Sequence, residues 1–329
     1  MTRIAIIDDY QKVALSLADW SSLPGVEVEV FSDAIKDPDK LIKRLERFDV
    51  VQTMRERTPM PAHVLEALPR LKLISATGRK QAQIDMEAAN RLGILVSGTP
   101  GSGDTTAEIV WGLIISLARN IPWEDWQMRN GNWQTRLGVE LGGRTLGVLG
   151  MGRLGTKVTK IAQLFDMNVI AWGPTLTPER AAENGATYVS WEDLFSSADV
   201  LTIHVPLTDL SRGWVTEREL ALMKPTAYLI NTSRGPIVEE KALIEALKEG
   251  RIAGAGLDVY DEEPLPAAHP LLTLENVVLT PHLGYATRGS MLVFYRESVA
   301  NIAAWLKGEP QNLINPEALP NARPLQSTH

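Results

Sequence analysis

Apolar, β-branched runs punctuate the first hundred positions at 4–8, 26–31, 49–54, 71–77 and 94–98, and helical stretches such as 38–47 and 61–68 lie between them. Strands alternating with helices predict a parallel sheet covered by helices on its faces. Thr99-Pro100-Gly101-Ser102-Gly103-Asp104 breaks that rhythm. Thr105 and Glu108 then stand at capping-box spacing. The helix they open carries Ile109, Val110, Leu113, Ile114 and Leu117 on one face, and is expected to link two domains. Trp123, Trp126 and Trp133 follow, read as packing or interface residues. A second series begins at Thr145, with strands at 146–149, 168–172, 200–205, 227–231, 254–259 and 277–280. Strands with intervening helices predict a second, doubly wound sheet. A last helix over about 290–307, with Leu292, Val293, Val299, Ile302 and Trp305 as its apolar positions, follows that completed sheet. The chain is therefore expected to return to its first domain. The expected division is 1–101, an inserted domain over 102–284, and 285–329 completing the first, with a disordered tail from about Pro320.

Composition narrows the chemistry. The chain has 329 residues, 44% hydrophobic and 22% charged, with a net charge of −7, enough for two domains each with its own core. An acidic balance argues against nucleic acid as a partner, because phosphate backbones select Lys/Arg-rich faces. The absence of cysteine excludes disulfides, thiolate catalysis and Cys-ligated metals. The five histidines form no ligand pair at helical spacing, so no metal site is expected. No apolar run suggests a signal segment or a membrane span, and a cytoplasmic protein is expected.

The strand at 146–149 runs into Gly150-Met151-Gly152-Arg153-Leu154-Gly155, and Val158, Ile161, Ala162 and Phe165 mark an amphipathic helix behind it. The first glycine of such a motif makes a tight turn, the second lets backbone approach a pyrophosphate, and the third lets helix pack on strand. Phosphates then sit at a helix N-terminus, where unpaired donors favour negative charge. This context predicts a bound dinucleotide.

Ligands of open α/β sheets lie beyond the carboxyl ends of strands. Three polar residues fall there: Arg234 after the strand ending at Asn231, Glu263 after the strand ending at Val259, and His282 after the strand ending at Thr280. Arginine grips a carboxylate bidentately, histidine handles a proton, and an acid beside it orients the imidazole and favours its protonated form. Each could be an ordinary loop residue alone; after a dinucleotide turn the three together point to a catalytic site.

The longer motifs resemble those of the D-isomer-specific 2-hydroxyacid dehydrogenases, across nearly the whole chain. They include the glycine turn, His204-Val205-Pro206-Leu207-Thr208, Asn231-Thr232-Ser233-Arg234-Gly235-Pro236, Gly256-Leu257-Asp258-Val259-Tyr260-Asp261-Glu262-Glu263-Pro264, Pro281-His282-Leu283-Gly284 and the closing Asn315-Pro316. The resemblance implies a Rossmann cofactor domain inserted into a flavodoxin-like α/β substrate domain. It implies hydride transfer between NAD(P)H and C2 of a small 2-keto or D-2-hydroxy acid. Arg234 would bind the substrate carboxylate, His282 donate the proton and Glu263 pair with it. Gly150, Gly152, Arg153, Leu154, Gly155, Gly173, His204, Pro206, Thr232, Asp258 and Gly284 would line the cofactor, Asp258 at the nicotinamide amide. Formate dehydrogenases of the same fold carry Gln in place of the acid, so Glu263 argues against that activity. A homodimer through the cofactor domain is also implied. The alternative is a nucleotide-sensing, corepressor-like binding protein on this scaffold.

Two positions depart from the family pattern. Its ribose-binding acid falls at Gly173, so NAD or NADP is expected, NAD being favoured because no arginine directly follows. Its substrate loop falls at Thr77-Gly78-Arg79-Lys80-Gln81, implying substrate contacts from Gly78 and Arg79. Arg79 and Lys80 are read first as pointing to solvent; the alternative is that they favour a substrate bearing a second anionic group.

Overall fold

The computed structural model describes residues 1–79, 81–101 and 103–324. The chain divides into two compact units, Met1–Gly103 with Thr287–His329, and Asp104–Ala286.

The first segment of the discontinuous unit runs β1 (Thr2–Ile6), α1 (Ala14–Leu17), β2 (Val26–Val30), α2 (Pro38–Leu45), β3 (Val50–Thr53), α3 (Ala62–Glu66), β4 (Leu73–Ala76), α4 (Met86–Leu92) and β5 (Leu95–Gly98). All pairings are parallel, in the order β2-β1-β3-β4-β5 of flavodoxin-like sheets. Every residue of β3, β4 and β5 is buried, as continuous strand runs covered on both faces require. Helix starts are written locally. The Asp37 carboxylate accepts from the Asp39 and Lys40 amides with Pro38 in the first turn, and Asp85 accepts from Ala88.

The second unit runs α5 (Thr106–Ala118), α6 (Ile121–Arg129), β6 (Thr145–Leu149), α7 (Arg153–Leu164), β7 (Asn168–Trp172), α8 (Pro178–Glu183), β8 (Thr187–Tyr188), α9 (Trp191–Ser197), β9 (Val200–Ile203), α10 (Glu217–Leu222), β10 (Tyr228–Asn231), α11 (Glu240–Lys248), β11 (Gly254–Leu257) and β12 (Val277–Leu279). Its parallel sheet has the order β12-β11-β10-β9-β6-β7-β8. This is a Rossmann order, and its strand succession reverses between β6 and β9, where such sheets bind ligands. The sheet has one strand more than the pattern predicts, because β8 is two exposed residues long and carries no apolar signal. Alternate residues face opposite cores. Leu149, Leu201, Ile203 and Leu229 pack with α9, α10 and α11, whereas Leu146, Val148, Val200 and Ile230 pack with α5 and α7.

The expected capping box at Thr105 does not form. Thr105 has helical φ of −61° and makes no side-chain cap; its hydroxyl donates to the Gly284 carbonyl at 2.8 Å. Trp126 and Trp133 are 55% and 74% exposed; Trp126 meets the ring of Trp123 with centroids 5.6 Å apart but is not part of a buried core.

The last helix, α12 (Arg288–Leu306), belongs to the first unit. Its buried face is Met291, Phe294, Tyr295, Ser298, Asn301, Ile302 and Trp305, while the expected Val293 is exposed. The apolar pattern misplaced that stripe because polar residues sit in it: Asn301 donates to the Gly98 carbonyl and the Tyr295 hydroxyl to Asp9. The tail corrects a second expectation. Ile314 N–H donates to Val96 O at 2.8 Å, Asn315 Oδ1 accepts from Val96 N, and Pro316–Asn321 forms a short 3₁₀ turn. Arg323 donates to the carbonyls of Leu68, Leu71 and Leu92. Order thus continues past Pro320, through at least Arg323; positions 325–329 lie outside the described residues. Among the described residues, no helix is long and apolar enough to cross a membrane.

Candidate active site

At the carboxyl end of β6 the chain turns on Gly150, whose φ of +94° a side chain would strain and whose absent Cβ leaves room for Val205. Gly155 brings α7 against the turn, since a Cβ there would run into the Gly150 carbonyl oxygen. At Gly152 a Cβ would meet nothing within 4 Å, so the face over the turn is open. Gly152 also N-caps α7 without a side-chain hydrogen bond, so no side chain of the cap covers the start of the helix. The Arg153 side chain is exposed and pairs with Asp104. An open, uncapped helix start behind a positive-φ glycine is the cradle a pyrophosphate fits.

The other cofactor candidates surround this turn in sequence-distant strands. Gly173 directly follows β7, and its nearest neighbours for an added Cβ are Leu176 Cβ at 3.5 Å and Gly150 Cα at 3.7 Å. His204, at the end of β9, donates its amide to Leu149 O, and its Nε2 lies 3.0 Å from Thr202 Oγ1. Its Nδ1 is buried without a partner, and burial lowers its pKa to about 3, so the ring is neutral. The Pro206 carbonyl accepts from Ser211 Oγ at 2.7 Å, which fixes the chain just past β9. Thr232, past β10, is buried with its hydroxyl unpartnered. A site lined by buried polar atoms that lack partners in the protein suits a polar ligand.

Arg234 lies on the loop after β10. Asn231 shapes that loop by donating to Arg234 O and accepting from Ser233 N, each at 3.0 Å. Arg234 Nη1 donates to Ser233 O at 2.6 Å. Glu263 lies on the loop after β11, where its Oε1 accepts from the Tyr260 amide at 3.1 Å. His282 follows β12 in a left-handed conformation, φ +54°. Its Nδ1–H donates to Glu263 Oε2 at 2.7 Å. A carboxylate only accepts, so the proton on Nδ1 follows from the pairing, and Nε2 is the ring nitrogen not engaged by Glu263. Glu263, not Glu262, is thus the acid paired with His282. Burial pushes the Glu263 pKa up, but the hydrogen bond and charge of His282, the Tyr260 amide and the charge of Arg234 outweigh it and hold the carboxyl below its ordinary value. Arg234, Glu263 and His282 are therefore electrostatically one cluster.

Asp258 is fully buried at the end of β11. Its Oδ1 accepts from Thr280 Oγ1 (2.6 Å) and Leu283 N (2.7 Å), and its Oδ2 from Gly284 N (2.8 Å). Burial raises its pKa against those hydrogen bonds and the His282 charge. Tyr260 went unnoticed in the sequence: its hydroxyl donates to the carbonyls of Leu257 and Thr280, tying the ends of β11 and β12 together. Only an aromatic following a strand signals it, which is too common to single out.

Gly78 and Arg79 lie in the other unit. Gly78 has φ +84° and donates its amide to Thr99 Oγ1 at 2.9 Å; Gln81 Nε2 donates to the carbonyls of Thr77 and Gly78. Arg79 is exposed, and Lys80 lies outside the described residues. The Arg55 guanidinium, from the end of β3, occupies the space a Cβ on Gly78 would need.

Residues 111–284 match the model of the D-isomer specific 2-hydroxyacid dehydrogenase NAD binding domain. A glyoxylate reductase of Aeropyrum pernix is 41% identical over 310 residues, covering 91% of this chain and 92% of that one. A D-3-phosphoglycerate dehydrogenase of Archaeoglobus fulgidus is 37% identical; the alignment covers 93% of this chain but 58% of the longer relative. The crystal structure of a phosphoglycerate oxidoreductase from Vibrio cholerae superposes with a TM-score of 0.89 at 38% identity, covering 94% of this chain and all of that one.

Proposed function

This chain belongs to the D-isomer-specific 2-hydroxyacid dehydrogenase family of NAD(P)-dependent oxidoreductases, and from that premise we propose that it reduces a small 2-keto acid to the D-2-hydroxy acid, and runs the reverse reaction, with Arg234, Glu263 and His282 as its catalytic residues. Arg234 grips the substrate carboxylate so that C2 and its keto oxygen are held in place. NAD(P)H supplies the hydride that C2 accepts. His282 Nε2–H donates its proton to the oxygen as negative charge develops there, and Glu263 stabilises the imidazolium before transfer and keeps Nδ1 protonated after it. In oxidation, neutral His282 takes the hydroxyl proton at Nε2. The amides of Arg153 and Leu154 would hold the pyrophosphate, and Thr232 and His204 would line the cofactor with their unpartnered polar atoms.

The single observation that carries this reading is the 2.7 Å His282–Glu263 pair at neighbouring strand ends, with the Glu263 carboxyl held below its ordinary value partly by the charge of Arg234. Its test is a panel of 2-keto acids, beginning with glyoxylate and including phosphorylated and dicarboxylic acids that Arg79 would favour, assayed with NADH and NADPH. Turnover of at least one is expected. Tight NAD(H) binding without any turnover would support the nucleotide-sensing alternative instead. We also propose a homodimer through the cofactor domain. Ile121, Trp126, Met128, Trp133 and Leu137, between 48% and 97% exposed, cluster in sequence over α6 and the segment after it. Such exposure is costly on a monomer. Sedimentation as a single-chain species would contradict it.

A further inference from the structure

The His282 loop is held at almost every backbone group. His282 N–H donates to Thr280 O at 3.0 Å, Leu283 N–H and Gly284 N–H donate to Asp258, and the imidazole donates to Glu263. The Gly284 carbonyl accepts two hydrogen bonds, from Thr105 Oγ1 at 2.8 Å and Thr106 Oγ1 at 3.0 Å. Those threonines open α5, and Thr105 occupies its N-cap position. A hydroxyl there ordinarily accepts from its own helix. Here it turns outward and donates, so the helix goes without that cap. The two lone pairs of one carbonyl are both satisfied by side chains more than 170 residues away in sequence.

We propose that Thr105 and Thr106 are positioning residues for His282, acting through the Gly284 carbonyl. The inference rests on His282 being the proton donor, as proposed above. His282 sits in a left-handed conformation that needs support from its surroundings, since a non-glycine residue pays strain there. Asp258 grips the loop by its amides, and the threonine pair grips it by its carbonyl. Together they fix where Nε2 points, while Glu263 fixes the ring about its own axis. Asp258, expected from the family pattern at the nicotinamide amide, has both oxygens engaged by this loop. The latch lies just inside both crossings of the chain, Gly103–Asp104 and Ala286–Thr287.

The test replaces both threonines by valine in the full chain, which preserves shape and removes only the hydroxyls. With NAD(P)H and an accepted 2-keto acid, kcat is expected to fall ~10-fold or more, because small displacements of a reacting group are costly. NAD(H) Kd, followed by NADH fluorescence, should stay within about 2-fold, since a loosened loop leaves the glycine turn intact. Each single valine variant should lose less than the pair, as the other hydroxyl remains, and the Thr105→Ser, Thr106→Ser double variant should recover wild-type kcat. Hydrogen exchange at the Leu283 and Gly284 amides should quicken in the double valine variant. If that variant unfolds below assay temperature, exchange in the single variants decides. Wild-type kcat together with wild-type exchange would overturn the proposal. A wild-type protein inactive on every 2-keto acid would sink the enzymatic reading, and exchange alone would then show whether the latch exists.

Discussion

Glu263 sits below the ordinary carboxyl value in the folded chain, so it is charged from the ordinary carboxyl range upward. The sign of its stability contribution follows. A depressed folded pKa gives stabilisation that is complete above the unfolded value of about 4.5 and is lost as pH falls through the lowered one. In catalysis the carboxylate has a second effect, because it keeps the proton on His282 Nδ1 and so fixes the ring. Glu263→Gln should therefore lower kcat while cofactor binding is retained. His282→Ala should cost ~10²-fold or more in kcat with cofactor binding retained. Equal kcat in wild type and Glu263→Gln would remove Glu263 from the mechanism. Gly173 carries a prediction of its own. A Cβ there meets nothing nearer than 3.5 Å, so an aspartate fits without displacing Leu176. A carboxylate at that position would accept from the ribose hydroxyls and repel a 2′-phosphate. Gly173→Asp is expected to raise the NADH/NADPH ratio of kcat/KM by ~10-fold or more. An unaltered ratio would place the ribose elsewhere.

At the scale of elements, the pattern of apolar runs recovered the long strands and their parallel arrangement, because buried strands such as Val200–Ile203 are continuous in that pattern. It overlooked β8, which buries nothing, and the stripe of α12, where Ser298 and Asn301 are buried to bind rather than to fill space. Arg234, Glu263 and His282 were legible because each follows a strand end, and strand ends converge. The threonine pair was not, since Thr105 sits where a cap belongs and only the folded loop shows the hydroxyl pointing away. β9 supplies a further test. Directly after it stands His204, whose neutral ring has a pKa of about 3 when folded against an ordinary 6.5. The unfolded chain takes up a proton below that value and the folded one does not. Stability should thus fall by as much as ~1.4 kcal/mol per pH unit on descending from 6.5 towards 3. Denaturant titrations across that range should show a shallower decline in His204→Gln; an identical decline in both proteins would mean that the ring is hydrated.

At the scale of the whole molecule, the first unit is assembled from two stretches of chain separated by the whole of the second. Asn301 and Tyr295 enter it from α12, and the Ile314 amide closes the edge of β5. Translation delivers these pieces in a fixed order. When residue 103 leaves the ribosome, its five strands already exist but one edge still lacks its partner, and an open edge invites pairing with another chain. The second unit, contiguous, can fold at once and wait. An isolated 104–286 fragment should therefore melt cooperatively, whereas 1–103 should remain soluble and ordered only when 287–329 is supplied with it. Cooperative melting of 1–103 alone would show that the edge needs no cover. A premature stop before position 314 would then spare the glycine turn and every side chain proposed for catalysis, yet leave the nascent sheet that was made first without the strand partner that is made last.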